Sequence, residues 1–467
     1  MKNKFKTDFA LIFLILICLI LGSCSSYFLP EERTIKSTDI NELGQLIIYY
    51  TDGTFENLGV VVGKDGAQGP QGEAGKDGKD GKDGTDGTNG KDGEDGKDGI
   101  NGADGSITIV GGSTSDSTQI AISKCLFNSV SISCAFTKIE EGFPKSYGAS
   151  GSGVIYKVNK ESGDAIIITN QHVVYDSASI TANGISPNIQ VYLYGLEYSN
   201  FAIDATYIGG SASYDIAVLK ITNSDIIKNS DCTSVSLRDS STVCVGEETF
   251  AIGNPMGEGI SATTGILSVD SEEIEMKSIT GTGTNSHRVM RVDTPINPGN
   301  SGGGLFDSNG NLIGIVNAKN IESEVENVGY AIPSSIAIGI VENILYYCNG
   351  TTSTAPMRAL LGISVGIDNP HAEFDASSGK TFIVEDVIVR GVNSGSVAEG
   401  ILSVNDTLKT VSINDGEEIQ ITRQFMIIDT LLYAHVGDTI NITYLNSAQK
   451  ECTASFIITE NMLQEYP

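Results

Sequence analysis

Glycine recurs at every third position from Gly63 to Gly105 without an interruption. This strict period is the pattern of a triple helix, in which three extended chains wind together and only glycine fits at the crowded axis. The alternatives are a disordered glycine-rich linker and a calcium-binding β-roll. A strict period of three is hard to obtain from an unselected linker, and the tract lacks the nonapeptide pattern of the β-roll. We therefore predict a triple-helical stalk over residues 63–105.

The predicted stalk resembles collagen-like bacterial proteins, although Pro70 is its only proline. Lysine followed by aspartate fills the X and Y positions of the triplets that begin at Lys64, Lys76, Lys79, Lys82, Lys91 and Lys97. Interchain Lys–Asp pairs would then stiffen the helix in place of proline. Such a helix needs three chains, so we expect a homotrimer. The stalk would be on the order of 130 Å long at about 3.1 Å per residue.

The chain begins with the features of an export signal. Three lysines precede an apolar run over residues 9–21, which is short for a transmembrane helix of about 20 residues. Residues 21–24, LGSC, resemble a bacterial lipobox, which implies a lipoprotein signal peptide over residues 1–23 and a lipid on Cys24. The alternatives are an uncleaved anchor or an ordinary signal peptide. Each places the mature chain outside the cytoplasm, and the lipid would anchor it to the membrane at the surface or in the periplasm of a bacterium.

Two short segments flank the stalk. Within residues 24–62, an Asp-Gly turn at 52–53 separates β-rich runs over 45–50 and 54–62, which predicts a β-hairpin. A lone hairpin is marginally stable in water, so it should pack against copies of itself or against the next segment. Residues 106–118 end in a polar Gly, Ser and Thr stretch and are predicted to be a linker.

The charge of the chain limits its partners. The 467 residues include 29 basic and 58 acidic side chains, for a formal charge of −29. This length allows two or three domains. The negative charge argues against nucleic acid as a partner and indicates a self-repelling surface.

A serine among glycines marks the predicted catalytic centre. Ser301 lies in residues 297–304, NPGNSGGG, where small neighbours let a substrate backbone come close. The N–H groups of Gly299 and Ser301, aimed at one point, would stabilise an oxyanion. Such a serine needs a base, and the base needs an orienting group. His172 follows a strand-like run and Asp215 opens an apolar run, so these two residues are the candidates.

The order His, Asp, Ser and the three local contexts resemble the trypsin-like HtrA/Deg family of serine proteases. The matching segments are TNQHVV at 169–174, DIAVL at 215–219, AIGNPMG at 251–257 and GNSGG at 299–303. Gly304 stands where the family usually has proline. The resemblance covers residues 119–349 and implies two six-stranded β-barrels with the triad in the cleft between them. Many short β-rich runs separated by turn residues agree with this mainly β fold.

The resemblance also implies a mechanism. Ser301 Oγ attacks a peptide carbonyl, His172 takes the proton and later gives it to the leaving amine, and Asp215 fixes the imidazole tautomer. Gly299, Asn300 and Ser301 frame the oxyanion hole. This chemistry needs neither a metal nor a cofactor, and we expect none.

The primary specificity pocket is predicted to be apolar. Proteases that prefer Lys or Arg usually bury a carboxylate a few residues before the serine, whereas residues 294–296 read TPI. Ile296, together with Ile315, Val316 and Asn317, would line the pocket as in the resembled family. We therefore expect cleavage after small or medium aliphatic residues.

The cysteines do not indicate a metal site. Of eight cysteines, Cys18 would leave with the signal peptide and Cys24 would carry the lipid. The remaining six have no zinc-binding spacing; they are Cys125, Cys134, Cys232, Cys244, Cys348 and Cys452. Outside the cytoplasm cysteines can pair. The preferred pair is Cys232 with Cys244, and the other pairings stay open.

Residues 358–467 are predicted to form a further small α/β or β module. The order of its β-rich runs resembles a PDZ domain, which this family carries after the protease. The loop that holds a peptide carboxylate in such domains matches Leu361, Gly362 and Ile363. Asn405 replaces a usual glycine, and asparagine tolerates the left-handed backbone that this turn needs.

A helix predicted over residues 425–433 would flank the peptide groove of this PDZ-like domain. Such domains bind the C-terminus of a partner by adding it as a strand. A C-terminal peptide ligand could therefore recruit substrates or activate the protease.

Three functions are compatible with the sequence. The leading hypothesis is a surface-anchored serine endopeptidase that degrades misfolded or exported proteins. The first alternative is a collagen-stalked adhesin or binding lipoprotein whose protease-like head is inactive. The second is a chaperone-like binder whose protease stays nearly silent until a ligand reaches the PDZ-like domain. The intact His, Asp and Ser contexts argue against an inactive head.

Overall fold

The computed structural model describes residues 35–40, 45–51, 53–60, 117–197, 199–281, 283–317, 328–348 and 354–466. The predicted signal peptide, the predicted lipidation site at Cys24 and the predicted triple-helical stalk lie outside these residues. The chain divides into two compact units, Met1–Asp104 and Gly105–Pro467. Across the described ranges, every helix is too short or too polar to cross a bilayer.

The first unit contains an antiparallel meander of three strands, one more than the predicted hairpin. The strands are β1 (Ile35–Ile40), β2 (Gln45–Tyr50) and β3 (Phe55–Val60). The predicted turn between β2 and β3 is present, since Tyr50 N–H donates to Thr54 O over 2.9 Å. The sequence of β1, IKSTDI, is mostly polar in its interior, which is why hydrophobic patterning does not identify it.

The described part of the second unit begins with helix α1 (Ser117–Cys125), followed by a closed antiparallel barrel of six strands. These strands are β4 (Ser129–Glu140), β5 (Phe143–Asn159), β6 (Asp164–Thr169), β7 (Asn188–Leu193), β8 (Ile203–Ser211) and β9 (Ile216–Ile221). The strands pair in the order β4-β5-β6-β9-β8-β7. Branched aliphatic side chains such as Ile132, Ile155 and Ile167 fill the interior and are fully buried. Helix α2 (Gln171–Val174) follows β6, and α3 (Asp225–Asn229) follows β9.

The second barrel is also a ring of six strands. Its strands are β11 (Glu248–Gly253), β12 (Ser261–Lys277), β13 (Thr284–Val292), β14 (Gly304–Asp307), β15 (Asn311–Asn317) and β16 (Gly329–Pro333), with the short β10 (Ser236–Leu237) added in parallel to β15. The order β15-β14-β11-β12-β13-β16 closes because β15 also pairs with β16. Both six-stranded barrels expected from the resemblance are therefore present.

An apolar cluster joins the two barrels to helix α4 (Ser334–Tyr347). Val218 of the first barrel, Phe250 and Phe306 of the second, and Ile340 and Ile344 of α4 are all fully buried in it. Because this shared core fixes the two barrels against each other, loops from both can build one site.

The described part of the C-terminal domain contains a larger sheet, a two-stranded sheet and one α-helix. Its strands are β17 (Met357–Ala359), β18 (Ile363–Asp375), β19 (Lys380–Val392), β20 (Thr407–Ile413), β21 (Ile419–Gln420), β22 (Thr439–Leu445), β23 (Glu451–Ile457) and β24 (Leu463–Glu465), and its helix is α5 (Phe425–Leu431). The main sheet has the order β18-β19-β20-β22-β23, and β17 pairs with β24. The predicted helix over 425–433 is confirmed in type and place. Asn405 has a φ of 74°, so it takes the left-handed conformation predicted for it.

Charged contacts join this domain to the second barrel. Lys380 at the start of β19 contacts Glu247 over 2.9 Å, and Arg238 contacts the same carboxylate over 2.7 Å. Burial alone would raise the pKa of Glu247, but hydrogen bonds from Arg238 and Lys380 outweigh it and lower the pKa to about 2. This contact therefore persists at neutral pH and is lost only as the pH falls from about 4.5 toward 2.

The predicted disulfide between Cys232 and Cys244 is wrong, since both are free and buried. Cys232 lies in the core of the first barrel, where the Ser230 hydroxyl donates to its sulfur over 3.1 Å. Cys244 lies on the second barrel, just before Glu247. The residues between them carry the chain from one barrel to the other, so closeness in sequence does not make a pair.

Candidate active site

Asp215 and His172 form a hydrogen-bonded pair. His172 Nδ1 lies 2.7 Å from Asp215 Oδ2, and the backbone N–H of His172 donates to Asp215 Oδ1 over 2.9 Å. The aspartate side chain is 2% exposed and the histidine side chain 18% exposed. An ionised carboxylate only accepts hydrogen bonds, so Nδ1 carries the hydrogen and the lone pair of Nε2 is left to accept a proton.

Asp215 lies in the turn between β8 and β9, in a left-handed conformation with a φ of 54°. Two asparagines brace this turn. Asn170 Nδ2 donates to the carbonyl of Asp215 over 2.8 Å, and Asn317 Nδ2 donates to Asp215 Oδ2 over 3.0 Å. The sequence predicts no role for Asn170, and it predicts Asn317 to line the specificity pocket. The signal available for Asn170 is its position two residues before His172. Asn317 is 102 residues from Asp215 in the sequence, and no local pattern connects the two.

Ser301 lies in a tight turn between β13 and β14 and is 6% exposed. Gly303 N–H donates to Asn300 O over 2.9 Å, and Gly302 N–H donates to Val316 O over 3.0 Å, so the turn is fixed to β15. Gly302 has a φ of 84°, and a Cβ there would collide with Thr169 Oγ1 and Ser152 O. The glycine thus lets the serine turn approach the segment that carries His172.

The same approach is visible from the first barrel. Gly151 of β5 faces both the Val173 side chain and the Ser301 carbonyl, and a Cβ at Gly151 would lie 2.6 Å from Val173 and 3.2 Å from Ser301 O. Because Val173 follows His172 directly, the structure brings His172, Asp215 and the Ser301 turn to one place in the cleft between the barrels.

The three predicted oxyanion-hole residues differ in their backbone donors. Asn300 N–H donates to Asn297 O over 3.0 Å, so it serves the turn itself. Pro298 O accepts from Met256 N–H over 2.9 Å. In a trans peptide the N–H points opposite to the C=O, so the Gly299 N–H points away from Met256. Gly299 has a φ of 100°, which favours glycine.

The four predicted pocket residues do not share one surface. Ile296 and Val316 pack in the interior of the second barrel with Val292 and Met290. Ile315 packs on the other face of β15, because successive side chains of a strand point to opposite sides. Asn317 binds Asp215 instead.

Asp293 is the acidic residue that most closely precedes Ser301 in the sequence. It is exposed, and its carboxylate accepts the N–H of Ile266 over 2.6 Å. The Asp293 carboxylate therefore caps backbone at β12 and is engaged outside the interior of the second barrel.

The three residues predicted to hold a peptide carboxylate lie at the start of β18. Leu361 is buried in the core of the C-terminal domain, Gly362 has a φ of 77°, and Ile363 is the first residue of the strand. In the described sheet, β18 lies at one end of the strand order, next to β19. Gln424, directly before α5, donates through Nε2 to the Val365 carbonyl over 3.0 Å.

Comparison with known proteins agrees with this geometry. The sequence model of the trypsin-like peptidase domain family matches residues 151–315, and that of the collagen triple helix repeat matches residues 61–115. Serine protease Do-like HtrA from Lactococcus lactis subsp. cremoris is 31% identical over 331 residues, which cover 67% of this chain and 71% of the relative. The chain belongs to the HtrA family of serine proteases.

Other HtrA proteins give a similar match. Serine protease Do-like HtrA from Bacillus subtilis is 32% identical over 313 residues, which cover 64% of this chain and 62% of the relative. Among solved structures, the HtrA-type protease AlgW with decapeptide has a TM-score of 0.45 at 23% identity, covering 75% of this chain and 99% of that one. The trypsin-like domain and the HtrA relatives support a serine-type endopeptidase.

Replacing Asn317 by alanine is expected to lower kcat about tenfold, equivalent to about 1.4 kcal/mol, with little change in KM. The reason is that Asp215 loses a donor that holds its carboxylate toward His172. Steady-state kinetics on a peptide substrate measure the effect. The matched control is Asn229→Ala, which removes an exposed hydrogen bond to Asp225 O outside the cleft. Equal kcat values for Asn317→Ala and wild type would contradict a role of Asn317 in orienting Asp215.

Proposed function

We propose that this HtrA-family protease is a surface-anchored endopeptidase that degrades misfolded or exported proteins through a Ser-His-Asp mechanism. The observation that carries the proposal is the His172–Asp215 pair at 2.7 Å beside the glycine-lined turn of Ser301. Ser301 Oγ attacks the substrate carbonyl and passes its proton to Nε2 of His172. Asp215 stabilises the imidazolium, which then protonates the leaving amine. Water releases the acyl group by the same steps.

The oxyanion that forms during attack is stabilised by the N–H groups of Gly299 and Ser301. Asn300 contributes by shaping the turn, since its own N–H is directed to Asn297 O. Donors held in place before the reaction need no reorganisation when charge develops, and this is their main catalytic advantage.

The proposal includes anchoring and assembly. The lipobox-like residues 21–24 support a lipid on Cys24, and the collagen repeat supports a homotrimer with a triple-helical stalk. Such a stalk would hold three protease heads away from the membrane, where unfolded proteins at the cell surface or in the periplasm can reach them.

The C-terminal domain is proposed to be PDZ-like. Its edge strand β18, the glycine turn at Gly362 and the neighbouring helix α5 provide the elements that add a peptide as a further strand. Leu361, Gly362 and Ile363 would hold the terminal carboxylate through their N–H groups. Binding there would recruit substrates or activate the protease.

Cleavage is expected after small or medium aliphatic residues. The residues between Asp293 and Ser301 include no acid, and the Asp293 carboxylate is engaged with Ile266 N–H. The test uses residues 25–467 without lipid, an unfolded casein substrate and mass spectrometry of the cut sites. Cuts mainly after Lys or Arg would contradict the pocket assignment.

The Ser301→Ala protein serves as the control in this experiment. Serine-dependent cutting supports the endopeptidase. If neither protein cuts casein, even with added C-terminal peptides, the adhesin or chaperone-like alternatives replace the proposal.

A further inference from the structure

We propose that Ser152 is a positioning residue that holds the oxyanion turn of Ser301 in its reactive conformation. This inference rests on the proposed catalytic role of Ser301. Ser152 lies on β5 of the first barrel and is 1% exposed. The turn that it contacts belongs to the second barrel, so Ser152 links the two barrels at the site.

The Ser152 hydroxyl joins the serine turn to the end of β11. It donates to the carbonyl of Gly299 over 2.7 Å and accepts the N–H of Asn254 over 2.8 Å. The backbone of Ser152 is also engaged, because its N–H donates to Ser301 O over 2.8 Å and its C=O accepts from Thr169 Oγ1 over 2.7 Å.

These contacts fix both peptide groups of Gly299. Met256 N–H holds the carbonyl of Pro298, which sets the direction of the Gly299 N–H. The Ser152 hydroxyl holds the carbonyl of Gly299 itself. A rotation of either peptide would therefore break a buried hydrogen bond. With both carbonyls held, the N–H of Gly299 keeps the direction that an oxyanion donor needs.

A second serine supports the arrangement. Ser131 of β4 lies directly opposite Ser152 in the β4–β5 ladder, and Asn254 Nδ2 donates to the Ser131 hydroxyl over 2.5 Å. Asn254 is thus held by two neighbouring serines of the first barrel. Its carbonyl lies against Gly299, where a Cβ would collide with it.

The glycines on either side of Ser152 make room for different neighbours. A Cβ at Gly153 would lie 2.8 Å from the Ile167 side chain and 2.9 Å from that of Ile132. Gly151 faces Val173 and the Ser301 carbonyl in the same way. Gly151 therefore lets β5 approach the catalytic turn closely enough for Ser152 to reach it, whereas Gly153 makes room for side chains of the first barrel.

The test compares wild type with Ser152→Ala and Ser152→Cys. The readouts are kcat and KM on a peptide substrate, the affinity of a peptide boronate, and the melting temperature. A boronate forms a tetrahedral adduct with Ser301 that places an oxygen in the oxyanion hole. We expect Ser152→Ala to lower kcat by about 10- to 100-fold, less than the loss of a direct donor, with KM within about twofold. Boronate affinity should fall by the same factor as kcat/KM, and Ser152→Cys, a weaker donor, should be intermediate.

The matched control is Ser129→Ala. Ser129 is also a buried serine of the first barrel that donates to a backbone carbonyl, that of Cys125, over 2.9 Å. Its removal should lower the melting temperature as Ser152→Ala does while leaving kcat unchanged. All assays are run below the melting temperature of every variant. If Ser152→Ala does not fold, the kcat of Ser152→Cys tests the inference.

Wild-type kcat in a folded Ser152 variant, or an equal loss of kcat in Ser129→Ala, would overturn the inference. A wild-type protein with no Ser301-dependent activity would instead overturn the proposed function itself. The two failures are therefore distinguishable.

Discussion

Replacing Ser301 by alanine is expected to lower peptide hydrolysis by at least about 10⁴-fold while the protein keeps its fold. The substitution removes the attacking Oγ and leaves the backbone contacts of the turn, including Ser152 N–H to Ser301 O at 2.8 Å. Residual activity would come only from substrate binding and the oxyanion hole. Initial rates on casein and on a short peptide measure the loss, and the melting temperature tests the fold.

The three residues of the proposed triad act as one unit, so the effects of substituting them should not be additive. Ser301→Ala and His172→Ala should each remove nearly the whole effect, so the double variant should be no slower than either single variant. Asp215→Asn should lower kcat by about 10⁴-fold, because the amide favours the wrong imidazole tautomer. If the losses of Ser301→Ala and His172→Ala multiplied in the double variant, the two residues would not share one step.

The sequence was sufficient to predict His172, Asp215 and Ser301 as a triad, because each lies in a short segment next to a strand. A strand, a turn and their flanking residues are local features that a few neighbouring residues determine. The same is true of the strands β6, β9 and β15, which are apolar runs bounded by polar residues. Local patterns do not report which distant groups meet. For this reason the sequence predicts Asn317 to line the specificity pocket, although the structure shows its amide bound to Asp215.

The predicted pocket residues show a second limit of prediction from sequence, which is that the face of a strand on which each side chain lies was not predictable. Ile315 and Val316 are adjacent in sequence and both are fully buried, yet they belong to different cores. Because side chains alternate along a strand, a shift of one residue exchanges the two faces. When the residues on both faces of a strand are buried, apolar and polar residues do not alternate along it. The sequence then does not show which residues face which side. The interior of the barrel and the surface facing α4 could be told apart only in the folded structure.

Replacing Asp429 by alanine is expected to destabilise the catalytic and C-terminal domains by about 3–5 kcal/mol. Asp429 of α5 accepts from Arg288 of β13 and from the Ser335 hydroxyl, the latter over 2.7 Å. Both charged side chains are 11% exposed, and the Arg288 guanidinium also lies 3.9 Å from the centre of the Phe425 ring. Burial raises the pKa of Asp429 and lowers the pKa of Arg288, so each charge depends on its partner. Alanine would leave the arginine buried without its counter-charge.

Chemical denaturation of residues 117–467 measures this effect, and a matched ion pair provides the control. Asp368 contacts Arg390 over 2.7 Å in the same domain, but both side chains are exposed, so Asp368→Ala should cost no more than about 1 kcal/mol. A variant that replaces both Arg288 and Asp429 by apolar residues should recover most of the stability, because no unpaired charge is left in the interface. If Asp429→Ala were no more destabilising than Asp368→Ala, the Arg288–Asp429 pair would contribute no more to stability than an exposed ion pair does.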